Sequence, residues 1–157
     1  MKSRGTRAGM VALAVLMTLL FAGQGHAQVL VLSEQNLEFG QLTPGTTSVV
    51  AATNVTQRAT ITIDGDRGRY DLTFQLPQYL ESASGDRVPL TFGPTDGRIT
   101  VRSTTTSFDP AAGTDFRFNP AHHEATVYLG GRAHPAVAQN AGSYTATIVI
   151  MIVQTGT

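Results

Sequence analysis

The sequence predicts an all-β protein: an antiparallel β-sandwich of about eight or nine strands, preceded by a cleaved signal helix. Two observations carry this prediction. Apolar and polar residues alternate over short stretches such as 58–63 and 70–76, and this is the period of a half-buried strand. Turn residues separate the stretches, and no window after residue 28 has the apolar period of an amphipathic helix.

The N-terminal segment is typical of a secretory signal peptide. Three basic residues precede an apolar run at 10–22, and small residues precede Gln28 at the usual cleavage position. We expect residues 1–27 to be removed and residues 28–157 to form one domain, with no transmembrane anchor after cleavage. The expected location is the periplasm, the outer cell surface or the medium.

Charge and cysteine content narrow the function classes. The chain has 11 basic and 11 acidic residues, and loss of Lys2, Arg4 and Arg7 with the signal peptide leaves a net charge of −3. This mild acidity argues against nucleic acid as a partner. Because the chain has no cysteine, its stability in an oxidising compartment must come from strand pairing and apolar burial.

The strands are bounded by turn and breaker residues. Pro77 ends one strand, and Pro89 and Pro135 favour edge positions because proline cannot donate to a ladder. The pair Gly130 and Gly131 predicts a bend, with a bulge or a positive φ. After an apolar stretch at 29–32, strands are expected at 37–40, 48–54, 58–63, 70–76, 87–92, 99–101, 124–131, 132–137 and 142–153.

The last strand is unusual because its second half is apolar on both faces. Its core-facing positions include Ile148 and Ile150, and the opposite face carries Val149, Met151 and Val153. These three residues are the candidate subunit interface. Either another subunit covers them, or a segment of the same chain does, with 29–32 and 103–120 as the choices.

The segment 103–120 is the candidate binding loop, because the strand pattern fails there. Phe108, Phe116, Arg117 and Phe118 are its candidate binding residues. The alternative is that the phenylalanines close the end of the sandwich.

No catalytic arrangement is present in the sequence. There is no Gly-x-Ser-x-Gly elbow and no phosphate-binding loop. His122, His123 and Glu124 lie together, but neighbouring residues on a strand point to opposite faces and do not converge on one metal ion. We expect no enzyme activity, no cofactor and no metal site.

Four motifs carry a resemblance to a known family. They are Leu37–Gly40 (LEFG), Tyr70–Pro77 (YDLTFQLP), Val127–Gly131 (VYLGG) and Gln139–Tyr144 (QNAGSY). In order and spacing the chain resembles the domain-of-unknown-function family 4402, and more distantly spore coat protein U and the pilins assembled by chaperone and usher. The resemblance implies an immunoglobulin-like or pilin-like sandwich over the whole of 28–157. The segment before Leu37 is short for a separate donor strand.

These observations lead to a functional expectation. The chain is expected to be a secreted structural subunit of a surface fibre or coat, self-associating or assembled with other fimbrial-like subunits, with a periplasmic chaperone as a further partner. The alternative is a soluble periplasmic or cell-surface binding module, adhesin-like, that uses the 103–120 loop.

Overall fold

The computed structural model describes residues 11–17 and 29–156, and every regular element in these two ranges is a strand. No helix of the described residues is long and apolar enough to cross a membrane. The strands are β1 (Val11–Met17), β2 (Val29–Gln35), β3 (Leu37–Gly40), β4 (Ser48–Val50), β5 (Ala59–Gly65), β6 (Gly68–Gln75), β7 (Tyr79–Ser82), β8 (Arg87–Thr91), β9 (Gly97–Val101), β10 (Thr104–Phe108), β11 (Thr114–Phe118), β12 (Glu124–Leu129), β13 (Gly131–Ala133), β14 (Tyr144–Thr145) and β15 (Thr147–Gly156).

The strands form three five-stranded sheets. The first sheet has the order β11-β6-β15-β1-β3, the second β10-β9-β12-β5-β2, and the third β14-β7-β8-β13-β4. The pairing of β1 with β15 is parallel, whereas the other ladders among the described strands are antiparallel. The all-β sandwich expected from the alternating pattern is therefore confirmed.

Two short connections tie the sheets together. Only Asn36 separates β2, in the second sheet, from β3, in the first. Only Gly130 separates β12, in the second sheet, from β13, in the third. The chain thus passes from one sheet to another along nearly continuous extended backbone.

The core lies where alternation predicts it. Along β5, buried residues alternate with residues that are partly or fully exposed, and β6 repeats this pattern over its first five residues. Alternation along the predicted strands places nine residues in the core. Phe74 is half-buried, and the other eight are buried: Phe39, Ile61, Leu72, Val127, Leu129, Tyr144, Ile148 and Ile150.

Two details of the predicted elements are wrong. The described strands are more numerous than the eight or nine expected, in part because single residues separate β2 from β3, β12 from β13 and β14 from β15. The segment 103–120 is not an irregular loop: it contains β10 and β11, joined by a turn around Asp109 and Gly113.

The bulge or positive φ expected at the glycine pair is not found: the chain passes there from β12 to β13, between two sheets. Neither glycine has a positive φ. A Cβ at Gly130 would lie 2.7 Å from the backbone nitrogen of Ala52 and nearer still to the carbonyl oxygen of Val50. Glycine is needed here because another part of the backbone passes too close for any side chain.

Part of the predicted signal peptide is described. The segment Val11–Met17 is a strand, not the helix expected for it, and it has two strand neighbours. The remainder of 1–27 lies outside the described residues, so the cleavage position does too.

Candidate functional site: the strand position between β3 and β15

One strand position in the first sheet is filled by the segment that the sequence predicts to be removed. On one side β1 pairs with β15 in parallel, from Ala14 opposite Thr147 to Met17 opposite Ile150. On the other side it pairs antiparallel with β3, with Leu13 opposite Leu37. We call this place the β1 position.

The β1 position is one strand wide. In the first sheet β3 is the end strand, and β1 is its only neighbour there among the described strands. Adjacent strands lie about 4.8 Å apart, so β3 and β15 flank a gap of about 10 Å when β1 is absent. The facing edges would then carry unpaired N–H and C=O groups, which favour the binding of another strand.

The walls of the β1 position are apolar. Leu37 and Phe39 of β3 and Ile148 and Ile150 of β15 are at most 3 % exposed. The register sets alternate β1 residues opposite this buried set, since Val15 is paired with Ile148. The segment Val11–Met17 is uncharged and apolar throughout. A ligand for this position is therefore an extended, apolar peptide segment.

The candidate interface residues lie beside this position. On β15, Val149 and Met151 are half-buried and Val153 is 55 % exposed. Their cross-strand partners on β6 are polar: Gln75, Thr73 and Asp71. An apolar stripe on β15 therefore borders the β1 position on one side and a polar surface on the other.

Neither chain segment expected to cover this stripe is paired with β15. Residues 29–32 belong to β2, at the edge of the second sheet, and β11 is separated from β15 by β6 within the first sheet. The choice between another subunit and a segment of the same chain as the cover of the stripe stays a prediction.

The candidate binding residues of 103–120 do not form a surface patch. Phe108, Phe116 and Phe118 are buried, whereas Arg117 is exposed. Phe116 stacks on Tyr70 with 5.5 Å between ring centroids. The phenylalanines belong to the core, in line with the alternative interpretation. Phe116 and Phe118 alternate with polar residues along β11, and Phe108 is the last residue of β10.

A buried ion pair was missed by the sequence analysis. The Asp96 carboxylate accepts hydrogen bonds from Arg132 Nη1 at 2.6 Å and from the Gly93 backbone N–H at 2.7 Å. The side chain of Asp96 is 7 % exposed and that of Arg132 is 37 % exposed. The two residues are far apart in sequence, so no local pattern indicates the pair.

Other polar groups have structural partners. Nδ1 and Nε2 of His134 lie within hydrogen-bond distance of the Thr47 and Thr91 hydroxyls, at 3.1 and 2.8 Å. Burial raises the pKa of Tyr70, whose hydroxyl donates to the carbonyl oxygen of Asp66 at 2.8 Å.

Within residues 11–17 and 29–156, no group of three or more acidic or histidine side chains could hold a metal ion.

Fold and site together define a class of protein: an all-β sandwich in which β3 and the last strand, β15, flank a position for one further strand. The family model described as "Domain of unknown function (DUF4402)" matches residues 30–153, and the chain belongs to this family. No curated protein matches the chain. The resemblance predicted from the four motifs is therefore confirmed at the level of the family.

Proposed function

We propose that the chain is a secreted structural subunit of a surface fibre or coat, self-associating or assembled with partners. The observation that carries the proposal is the β1 position. Its occupant in the full chain is an apolar segment within the predicted signal peptide. Export and cleavage before Gln28 would remove this strand and leave the edges of β3 and β15 open in the mature chain, residues 28–157.

An open position of this kind favours assembly for two physical reasons. Backbone groups without partners are costly where water is excluded, so a strand that pairs with both edges is stabilising. The apolar walls at Leu37, Ile148 and Ile150 also gain from being covered. A second subunit or a periplasmic chaperone can supply such a strand by the same backbone pairing. The alternative of a binding module that uses the 103–120 loop has less support, because that segment forms strands of two sheets.

The first test compares the full chain, retained in the cytoplasm with residues 1–27 attached, with the processed chain recovered after export. We expect the full chain to be monomeric and more stable to heat. We expect the processed chain to self-associate, or to be recovered only with a chaperone. Size-exclusion chromatography with light scattering and thermal unfolding measure both properties. Two monomers with equal melting temperatures would contradict the proposal.

A matched variant isolates the strand pairing. Proline at Val15 in the full chain removes a backbone donor in the middle of β1 and disfavours the strand. The variant should behave like the processed chain. Alanine at the same position keeps the backbone donor and serves as the control.

The second test addresses the apolar stripe on β15. In the processed chain, Val149→Asp with Met151→Asp should abolish assembly and leave the domain folded, because neither residue is fully buried. Val137→Asp is the control, since Val137 is 86 % exposed and is not on β15. Unfolding of the double variant would show that the stripe serves the fold of the single domain and would remove it from the interface.

A further inference from the structure

A polar cavity of about 340 Å³ is lined by strands of the second and third sheets and by the turns beside them. We call it the Arg98 cavity. None of its lining residues belongs to the first sheet, so it is separate from the β1 position. The polar residues of its lining are Thr53, Thr95, Asp96, Arg98, Ser107 and Arg132.

We propose that the Arg98 cavity binds a small carboxylate ligand that also carries hydroxyl groups, which is the chemistry of a sugar acid. This inference goes beyond the proposed function and does not depend on it, because the two sites share no residue. Cavities that bind small ligands measure about 300–1,000 Å³. The Arg98 cavity lies at the small end of this range, which suits a ligand of the size of one sugar unit.

The charges of the lining favour a ligand with one negative charge. Two arginines against one aspartate leave a net charge of +1 on the lining. Asp96 pairs with Arg132 Nη1 at 2.6 Å, whereas Arg98 forms no ion pair with a described residue. One carboxylate balances this charge. A phosphate monoester carries about −1.5 to −2 and would exceed it.

Arg98 also has a hydrogen-bond donor without an acceptor. Its Nε is buried and has no partner among the described residues. A buried donor without an acceptor is destabilising, and a hydrogen bond to an ionised acceptor is stronger than one to a neutral group. A carboxylate suits this donor because its two oxygens can accept from two neighbouring N–H groups of one guanidinium.

Arg58 provides a comparison within the same chain. Its Nε is also buried without a partner. Its Nη1, however, donates to the carbonyl oxygen of Ala52 at 3.1 Å, and its Cζ lies 3.7 Å from the centre of the Tyr128 ring. The guanidinium of Arg58 is therefore bound within the chain, and that of Arg98 is the one available to a ligand in this cavity.

The groups around Arg98 are held in place by the fold. Ser107 lies directly opposite Arg98 in the ladder between β9 and β10. The Asp96 carbonyl oxygen accepts from the Gly130 N–H at 2.8 Å, which fixes the turn before β9. The threonine and serine hydroxyls of the lining can each donate and accept, as recognition of ligand hydroxyls requires. A site held in place before binding loses less entropy when the ligand enters.

The test measures the binding of galacturonate to the full chain, residues 1–157, by calorimetric titration and by the shift in melting temperature. Galactose has the hydroxyls without the carboxylate, and acetate has the carboxylate without the hydroxyls. Galacturonate should bind at least about tenfold more tightly than either and should raise the melting temperature. Absence of galacturonate binding, or equal affinity for galacturonate and one of the two partial ligands, would overturn the inference.

Substitution of Arg98 identifies the group that binds the carboxylate. Arg98→Gln should weaken galacturonate binding at least about tenfold, and Arg98→Lys, which keeps the charge without the planar pair of donors, should lie between the two. The melting temperature without ligand should not fall, because Arg98 has no ion pair in the described part of the chain. Arg117→Gln is the matched control, since Arg117 is exposed on β11 in the first sheet. Equal affinities of Arg98→Gln and the control would contradict the assignment.

A second variant tests the hydroxyls and does not depend on Arg98. Ser107 is exposed, so Ser107→Ala should leave the fold intact. It should weaken galacturonate binding by about two- to tenfold and leave acetate binding unchanged. An unchanged ratio of the two affinities would mean that the cavity does not recognise ligand hydroxyls, and the proposed ligand class would be wrong.

An oligomer of galacturonate distinguishes the two sources of such a ligand. If the ligand is a free sugar acid, the monomer should bind as tightly as the trimer. If it is a unit of an acidic polysaccharide, the trimer should bind about tenfold or more tightly. Either result supports the site, provided that Arg98→Gln weakens it. Failure of every arm would overturn this inference and leave the proposed function standing, because assembly through the β1 position is measured by light scattering.

Discussion

Substitution of Asp96 by alanine tests the buried ion pair at the edge between two sheets. The Asp96 carboxylate accepts from Arg132 and from the Gly93 N–H, and its own carbonyl oxygen accepts from the Gly130 N–H at 2.8 Å. The residue therefore ties the turn before β9 to the crossing between β12 and β13. Alanine removes the two side-chain hydrogen bonds and leaves the Arg132 guanidinium, in part buried, without its carboxylate.

The loss of stability in the Asp96→Ala variant follows from the burial of the Asp96 carboxylate. Hydrogen bonds to charged groups contribute about 1.5–3 kcal/mol each, and removing one partner of a buried pair costs about 3–5 kcal/mol because the other charge is left uncompensated. Arg132 keeps part of its hydration, so we expect a loss of about 3 kcal/mol. For a domain of this length that corresponds to a fall in melting temperature of roughly 10–15 °C.

The assay is thermal unfolding by circular dichroism, with Asp115→Ala as a matched control. Asp115 also pairs with an arginine, at 2.8 Å from Arg69, but the two side chains are 57 % and 62 % exposed. Water solvates both exposed charges when such a pair is broken, so the control should change the melting temperature by less than about 2 °C. Equal effects of the two substitutions would refute the argument from burial. Asp96→Asn should recover part of the loss, because the amide oxygen still accepts from Gly93.

Three further predictions concern backbone approach, packing and pH. Gly130→Ala should destabilise the domain by about 3 kcal/mol or more, because the added Cβ meets the β4 backbone; Gly142→Ala, which meets no atom nearer than 3.8 Å, should be nearly neutral in the same melting assay. Leu72→Ala should cost about 2–5 kcal/mol in denaturant unfolding, and an unchanged midpoint would mean that the register of β6 is wrong. The hydrogen bond from Arg69 lowers the pKa of Asp115. The stability that ionised Asp115 contributes is therefore present above the ordinary pKa of 3.8, and it is lost as the pH falls through the lowered pKa of the folded protein. Carboxyl NMR titration checks this, and Arg69→Gln should return the pKa toward the ordinary value.

Local alternation was sufficient to predict the elements that carry the core. The strands β5 and β6 alternate in the sequence as they do in burial, because one side of each strand packs inward. The same rule applied to Phe116-Arg117-Phe118 would have identified β11. Pro110, Gly113 and the threonines led instead to a loop, although the proline and the glycine belong only to the turn between two strands.

Long-range pairing could not be predicted from local pattern. The Asp96–Arg132 pair joins residues of two separate segments, and nothing around either residue specifies the other. The β1 position is even harder to predict from local sequence pattern. An uninterrupted apolar run such as Val11–Met17 is compatible with a helix in a signal peptide and with a strand between two apolar edges. Only the three-dimensional arrangement of β3 and β15 shows that a strand fits there.

The apolar stripe lies next to the β1 position on the same sheet. The pairing of β15 with β1 runs from Thr147 to Ile150, and the doubly apolar part of β15 begins at Ile148. The side chains of a strand point to the two faces of its sheet, whereas a neighbouring strand pairs with its edge. A strand in the β1 position therefore pairs with the edge of β15 and does not by itself cover Val149 and Met151 on the outer face. Under the proposed function the two substitutions test different contacts, because proline at Val15 changes the pairing at the edge and Val149→Asp with Met151→Asp changes the face.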